Sequence, residues 1–316
     1  MVRPSDAGQA ALGLLADGLA AEPPDALHPV AWFGRCMGVV ERVVYRDSRR
    51  AGVGYAACGI VIGVAAGAAV RSTVGATALA VAGRALRDRA TEIARALDAD
   101  DLDRAHRLLP SLVGRDVDDL DAKETARAVI ESVAENTVDA VVAPAVWAAV
   151  AGAPGVLAHR ALNTMDAMVG HRSARYERFG WASARLDDAA AWVPARVAAA
   201  LVVLVRPRAR HAVLRAVRTQ APEHPSPNAG VVEAAFAAAL GLRLGGPGSY
   251  RGVPELRPHL GEGRPPEPAD IGRAVVLARD VELALAAGLA TVAAGRYAWR
   301  RARRGVLTAG QTGVRP

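Results

Sequence analysis

The sequence predicts an all-α fold: a multi-pass helical membrane protein with polar helical segments between the spans. The segment 51–70 has twenty residues without a charged side chain, and a helix of that length matches the roughly 30 Å hydrocarbon core of a bilayer. A second uncharged segment follows at 140–158. Apolar residues make up 52% of the chain, and its mean hydropathy is +0.15. Arginines bunch beside the apolar runs, which is typical of helices that meet lipid headgroups, so we expect the lipid bilayer as a partner.

The other apolar elements follow in chain order. After Arg71, the uncharged run 72–83 predicts that the first span either continues as one long helix or turns back in a tight helical hairpin. Two more apolar patches lie at 189–205 and 283–295. Because arginines flank both ends of most runs, the positive-inside rule gives no orientation. Paired spans, or segments that enter the membrane and return, would explain this pattern.

The segment 84–136 is polar and differs from the apolar runs around it. Leu86, Ile93 and Leu97 recur at helical spacing within it. We expect water-exposed helices here, forming a polar insert in a single integral-membrane domain that covers residues 1–316. The alternative is that the alanine-rich runs are the buried helices of a soluble bundle.

Composition excludes several other classes of protein. Two cysteines, Cys36 and Cys58, are too few for a disulfide framework or a cysteine-rich zinc module. The net charge of +7 comes from 39 basic and 32 acidic residues, and Lys123 is the only lysine. Nucleic-acid binders interleave basic residues with aromatics or gather them on one module. Neither pattern is present, so we expect no nucleic-acid partner.

The segment ESVAENTVD, residues 131–139, carries the first candidate site. Glu131, Glu135 and Asp139 fall at positions i, i+4 and i+8 and share one face of a helix, with Asn136 beside them. Three like charges on one face repel one another, and a cation would reverse the sign of that interaction. The face runs directly into the apolar segment 140–158, where carboxylates are costly and functional by default. This favours a magnesium site shared with a phosphate over a solvated acidic face.

A second block, residues 163–188, interleaves acids and bases. Oxygen ligands alternate with arginines, whose planar forks suit phosphate or carboxylate. The residues are Asn163, Asp166, Arg172, Arg175, Arg185, Asp187 and Asp188. Taken alone, the block is equally typical of a surface salt-bridge network.

A third block, residues 224–250, combines a rigid turn with a glycine-rich stretch. Pro225 and Pro227 shape a turn that presents Asn228, and Glu233 enters a helix behind it. The stretch 245–248 would let a backbone approach a ligand closely, but it matches neither the P-loop nor the dinucleotide fingerprint.

Together these blocks resemble the adenosylcobinamide-phosphate synthase family of cobalamin biosynthesis, the CobD/CbiB type, in order and over most of the chain. The motifs that carry the resemblance are Asp17 with Glu22-Pro23 and His28-Pro29, VGRD at 113–116, ESVAENTVD, NTMDAMVG, RYERFGWASARLDD, Pro194–Arg196, and SPNAG with EAAFAAALG, LGG and Tyr250. The chain departs from the pattern at Ala21-Glu22 for Gly-Asp, Ala167 for Ser, His171-Arg172 for Tyr-Lys and Ala191 for Asn.

The resemblance implies a carbon–nitrogen ligase in the cell (inner) membrane with several spans. Such an enzyme joins the ring-D propionate of adenosylcobyric acid to the amine of (R)-1-aminopropan-2-ol phosphate, or a related amino-alcohol phosphate. It implies ATP as co-substrate and Mg²⁺ as cofactor. It leaves open a homo-oligomer or an association with other cobamide-assembly enzymes.

The hypothesis places the acids around magnesium and the incoming amine, and the other polar residues on the substrates. The catalytic candidates are Glu131, Glu135, Asp166, Asp187 and Asp188. The metal candidates are Glu131, Glu135 and Asp139. The substrate-binding candidates are Arg115, Asn136, Asn163, Arg172, Arg175, Arg185, Arg196, Asn228 and Glu233.

A non-catalytic corrinoid-binding membrane carrier is the competing interpretation. Acid and base residues concentrate in blocks between the apolar runs rather than at midspan positions typical of transport sites. That distribution favours the enzyme.

Overall fold

The structure is a computed structural model that describes residues 6–18, 29–114, 116–117, 120–171, 173–250 and 253–311. The predicted helical fold is confirmed. The helices are α1 (Asp6–Asp17), α2 (Pro29–Val44), α3 (Arg49–Val70), α4 (Thr73–Ala80), α5 (Gly83–Asp98), α6 (Leu102–Leu108), α7 (Ala122–Thr137), α8 (Ala143–Met165), α9 (Trp181–Val205), α10 (Arg210–Thr219), α11 (Ala229–Leu240) and α12 (Pro268–Gln311). An antiparallel hairpin, β1 (Leu244–Tyr250) with β2 (Val253–Leu260), follows α11.

Within the described ranges, three helical segments are long and apolar enough to cross a membrane. They are Arg49–Val70, Ala122–Gly170 and Trp181–Val205. These contain the predicted runs 51–70, 140–158 and 189–205. The fourth predicted run, 283–295, lies inside α12, which is not one of the three segments.

Helix α3 packs on α8 through glycines. The Ser48 side chain accepts a hydrogen bond from the Ala51 N–H at 3.2 Å and caps the helix. At Gly63 an added Cβ would lie 2.7 Å from the Leu157 carbonyl oxygen. At Gly67 it would overlap the backbone of Ala153 and Pro154, and at Gly59 it would meet the flexible side chain of Met165. Small residues at a four-residue spacing let two membrane helices approach closely, so this seam fixes α3 against α8.

The segment after α3 follows neither of the two predicted forms. Arg71 adopts a left-handed conformation with φ of 55°, which ends α3. The Ser72 side chain then accepts a hydrogen bond from the Gly75 N–H and starts the separate eight-residue helix α4. Helix α4 packs on α1 and α8 rather than lying back along α3.

The apolar segment 140–158 folds back on itself at Gly152. This residue has φ of 64° and ψ of −155°, which breaks α8 into two arms. The Asn163 Nδ2 donates to Asp139 Oδ2 at 3.2 Å, although 24 residues of straight helix would separate them by about 36 Å. The arm of α8 before Gly152 (143–151) has nine residues and the arm after it (153–165) has thirteen, so they span roughly 14 and 20 Å, each less than a hydrocarbon core. The chain therefore reverses direction within this segment, a path compatible with the predicted segments that enter the membrane and return.

The polar segment is only partly exposed. Helix α5 is amphipathic, with Leu86, Ile93 and Leu97 buried as their spacing predicts. Helix α7 departs from the expectation of a water-exposed helix, because Val129, Ile130 and their neighbours lie in the main hydrophobic core. That core also takes in the buried faces of α9, α11 and α12, so the polar segment packs into the body of the protein.

Candidate functional site

Two π-turns hold the first pair of acids. The segments Val138–Val142 and Asp166–Gly170 are π-helical and contain Asp139 and Asp166. π-turns inside α-helices are rare and frequent at functional sites. Because the chain reverses at Gly152, both turns lie at the open end of the helical hairpin.

The packing around Asp166 is tight. A Cβ at Gly170 would overlap Oδ1 of Asp166, and it would also come within 3.5 Å of the Ala184 Cβ on α9. A Cβ at Gly180 would overlap the Val169 carbonyl oxygen. The NTMDAMVG motif therefore needs glycine to let α9 close on the second π-turn.

Helix α9 adds two more carboxylates. Asp187 is 8% exposed, and its carboxylate interacts electrostatically with those of Glu135, Asp139, Asp166 and Asp188. Its Oδ1 has no hydrogen-bond partner among the described residues. We call Glu135, Asp139, Asp166, Asp187 and Asp188 the acid cluster. Five predicted site residues thus converge from α7, the two π-turns and α9.

Cations and amides border the acid cluster. Arg160 interacts with Asp139 electrostatically and donates to Asn163 Oδ1 at 3.4 Å. Arg185 lies 4.0 Å from Asp188 and is largely exposed. Asn163, which donates to Asp139, therefore lies beside the acid cluster. The Asn136 amide instead donates to the Ser132 carbonyl and hydroxyl oxygens within its own helix.

Glu131 lies one turn before Glu135 but has a different partner. Its Oε1 accepts a hydrogen bond from the Gly245 N–H at 2.8 Å, and the side chain is 3% exposed. His224 lies near it and has its Nε2 3.9 Å from Oε2 of Glu233, which is 1% exposed. We call Glu131, His224 and Glu233 the histidine cluster. Burial lowers the pKa of His224, and the nearby Arg257 lowers it further.

Asn228 connects the third sequence block to the acid cluster. Its Nδ2 donates to the Asp188 carbonyl oxygen at 2.8 Å, and its Oδ1 accepts from Arg196 at 3.1 Å. The Arg196 guanidinium also stacks 4.3 Å from the Trp192 ring centroid. The two clusters and this bridge form one elongated polar site.

Arg175 is placed elsewhere. It donates to Glu41 Oε1 on α2 at 3.1 Å and stacks 4.1 Å from the Tyr45 ring. Tyr176 donates to the same Glu41 oxygen at 2.8 Å. Arg115 and Arg172 lie outside the described residues, so their predicted roles stay predictions.

No three His, Cys, Asp or Glu side chains of the described residues are grouped closely enough to hold a metal ion by themselves. The metal assignment of Glu131, Glu135 and Asp139 therefore stays a prediction. Carboxylate oxygens do match the donors that Mg²⁺ prefers, and Mg²⁺ commonly takes one or two protein carboxylates with waters and substrate phosphates. The acid cluster fits an ion shared in that way.

Sequence reasoning missed several polar residues of the site. His159 is 2% exposed, and neither ring nitrogen has a hydrogen-bond partner among the described residues. It lies one helical turn before Asn163, so helical periodicity within the second block could have found it. His224 stands in the predicted HPSPNAG turn, where its place beside two prolines was a usable signal. No local pattern points to Arg160.

The fold and the site define a class of protein. It is a helical membrane protein in which carboxylates gather at the two π-turns that flank the chain reversal at Gly152. A family model described as CobD/Cbib protein matches residues 10–278. The chain therefore belongs to the CobD/CbiB family, and the predicted resemblance is confirmed.

Curated relatives agree with the family match. The cobalamin biosynthesis protein CobD of Mycobacterium tuberculosis H37Rv is 48% identical over 286 residues, covering 86% of this chain and 90% of the relative. The protein of the same name from Stutzerimonas stutzeri is 42% identical over 279 residues, with 84% and 90% covered. That from Rhodobacter capsulatus is 39% identical over 277 residues, with 81% and 88% covered. No solved structure matches the chain.

Proposed function

We propose that this chain is an adenosylcobinamide-phosphate synthase of cobalamin biosynthesis. It would ligate the ring-D propionate of adenosylcobyric acid to the amine of (R)-1-aminopropan-2-ol phosphate, or a related amino-alcohol phosphate, with ATP as the energy source. Membership of the CobD/CbiB family and the curated relatives support the pathway. The reaction itself is argued from the site.

The convergence of five carboxylates is the observation that carries the proposal. Helix α7, the two π-turns and helix α9 bring them together at a site where Asp187 is 8% exposed. Asp187 is buried, Asp139, Asp166 and Asp188 are half-buried, and Glu135 is exposed. Carboxylates gathered at such a partly buried site repel one another, and a cation that neutralises them removes this cost. An amino-alcohol substrate brings an ammonium group, and its phosphate brings a site for Mg²⁺. The acid cluster therefore suits both the ammonium group of a phosphorylated amine and the Mg²⁺ bound to its phosphate.

A carboxylate is a poor electrophile, so the ligation needs two steps. A propionate oxygen first forms a bond to the terminal phosphorus of ATP, and ADP leaves. The amine nitrogen then attacks the acyl carbon, phosphate leaves, and a carboxylate of the acid cluster accepts the proton that the amine gives up. Asp166 and Asp187 are the candidates for that acceptor.

The protein's main contribution is to place the reactants and to balance their charge. Arg160, Arg185 and Arg196 border the acid cluster and are suited to phosphate oxygens or the carboxamide rim of the corrinoid. Mg²⁺, when bound, would neutralise phosphate charge. Asn228 would hold the Arg196 side chain close to Asp188, because it accepts from the Arg196 guanidinium and donates to the Asp188 carbonyl oxygen.

The three long apolar segments support an integral-membrane location. We propose that the chain lies in the cell (inner) membrane and passes through it more than once. The proposal is compatible with a homo-oligomer and with contacts to other cobamide-assembly enzymes.

The test is ligation by purified protein in lipid nanodiscs. Adenosylcobyric acid, Mg²⁺-ATP and aminopropanol phosphate are supplied, and mass spectrometry follows the amide product while ADP is counted. The enzyme predicts one ADP for each amide formed. A carrier would bind the corrinoid and form no product.

Two variants connect the activity to the acid cluster. Glu135→Gln and Asp166→Asn should each lower the ligation rate by about 100-fold or more, because each removes a carboxylate that faces the substrates. Glu92→Gln, at a solvent-exposed pair with Arg89, is the matched control and should keep the wild-type rate. Near-normal rates in both acid-cluster variants would overturn the assignment.

A further inference from the structure

The N-terminus of α5 contacts the π-turn that carries Asp139. Ala82 precedes α5 and makes no side-chain cap bond. Its backbone N–H donates instead to the carbonyl oxygen of Ala140 at 3.0 Å. Four positions after Ala140 stands Pro144, which has no N–H for an α-helical bond, so the Ala140 carbonyl can accept from a donor outside its helix. The start of α5 therefore holds the backbone next to Asp139.

Asp17 of α1 fixes the start of α5 from the other side. It is 5% exposed, and its Oδ2 accepts a hydrogen bond from the Arg84 N–H at 2.8 Å. A carboxylate at this position satisfies a helix N–H and interacts favourably with the positive end of the helix dipole. Asp17 opens the motif series that the family resemblance rests on, yet it is not part of the acid cluster.

Gly83 completes this junction because a larger residue has no room. An added Cβ would lie 2.9 Å from Glu282 Oε2 on α12 and 3.1 Å from both Arg87 Nη1 and Val141 Cγ2. Glu282 is 4% exposed and pairs with Arg87. Four segments thus meet within contact distance: α1, α5, α12 and the first π-turn.

We propose that Asp17 is a positioning residue for Asp139. It holds the N-terminus of α5, which in turn holds the Ala140 carbonyl and sets where the Asp139 carboxylate lies. The kinetic part of this proposal rests on the proposed ligase function, whereas its structural part does not.

The test compares Asp17→Ala with Asp6→Ala by amide hydrogen exchange in nanodiscs. Asp6 is 6% exposed and lies on the same helix, so it controls for general loosening of α1. Asp17→Ala should speed exchange about tenfold both at residues 82–84 and at residues 138–143. Asp17→Asn keeps a neutral acceptor and should restore most of the protection at both segments.

Ligation kinetics provide the second measurement. Asp17→Ala should lower kcat by about 10- to 100-fold while KM changes little, because an error of roughly 1 Å in a reacting group has that effect. Asp6→Ala should not separate kcat from KM in this way. If the wild type forms no amide, the proposed function fails, and the exchange data still decide the positioning role.

Exchange that speeds up only at 82–84, at neither segment, or equally in both aspartate variants would overturn the proposal. If Asp17→Ala does not fold, Gly83→Ala decides in the same way, because it forces a carbon between Glu282, Arg87 and Val141. Gly272→Ala on α12, where an added Cβ meets nothing within 4 Å, is its control.

Discussion

The same substitution at two buried aspartates should change stability in opposite directions. Asp187 and Asp270 are 8% and 1% exposed. Asp270 accepts from Arg264 at 2.7 and 3.0 Å, from Arg273 at 2.7 Å and from the Glu267 N–H at 2.9 Å. Asp187 lies among four other carboxylates and has an Oδ1 without a partner among the described residues.

The magnitudes follow from these surroundings. Asp187→Asn removes a charge from a repulsive cluster and brings an amide that can donate to its neighbours, so the free energy of unfolding should rise by about 1–3 kcal/mol. Asp270→Asn removes the charge from a network whose hydrogen bonds are all made, so the free energy of unfolding should fall by about 2–3 kcal/mol. The loss is no larger because both arginines are about half exposed to solvent, which weakens their ion pairs.

Thermal unfolding in one detergent measures both variants, and the ligation assay accompanies it. We expect Asp187→Asn to melt higher than the wild type and to lose at least about 100-fold in rate, the combination typical of residues kept for function. Asp270→Asn should melt lower and keep its rate in the folded fraction. A loss of stability at Asp187 equal to that at Asp270, or full activity in Asp187→Asn, would show that Asp187 is not kept for function at a cost in stability.

Three further predictions test the fold. Gly63→Ala should cost about 1–3 kcal/mol of stability by overpacking, whereas Gly54→Ala, whose Cβ meets nothing within 4 Å, should be neutral or stabilising by thermal shift. His224 has a lowered pKa in the folded state, so the unfolded state takes up its proton first. Stability should therefore fall as pH drops below about 6.5, and His224→Gln should flatten that slope. In a cysteine-free background, Lys123→Cys and Ala174→Cys should react with an impermeant maleimide from the same side of the membrane. Labelling from opposite sides would contradict the reversal of the chain at Gly152.

Length and hydropathy identify the apolar segments but not their path. Residues 140–158 are long enough for a span, and nothing in their composition says that Gly152 takes φ of 64° and reverses the chain. The strands of β1–β2 were not expected either, because the glycine-rich LGGPGSY lacks the alternation of a half-buried strand. Tertiary packing decided both features.

The candidate site was predicted in its residue types more than in its geometry. The spacing of Glu131, Glu135 and Asp139 placed all three on one face, but the π-turn at Val138–Val142 changes the helical register after Thr137. Glu131 also found a backbone partner in β1. The contact of Asp139 with Asn163 depends on the hairpin and has no local signal.

We propose that the acid cluster serves an ATP-dependent amide ligation. Its most direct test is single-turnover incubation of the nanodisc protein with adenosylcobyric acid, Mg²⁺-ATP and isotopically labelled aminopropanol phosphate, with Asp166→Asn run in parallel. We predict labelled amide in step with ADP for the wild type, and neither for the variant. Corrinoid bound by the wild type without labelled amide or ADP would instead indicate a non-catalytic corrinoid carrier.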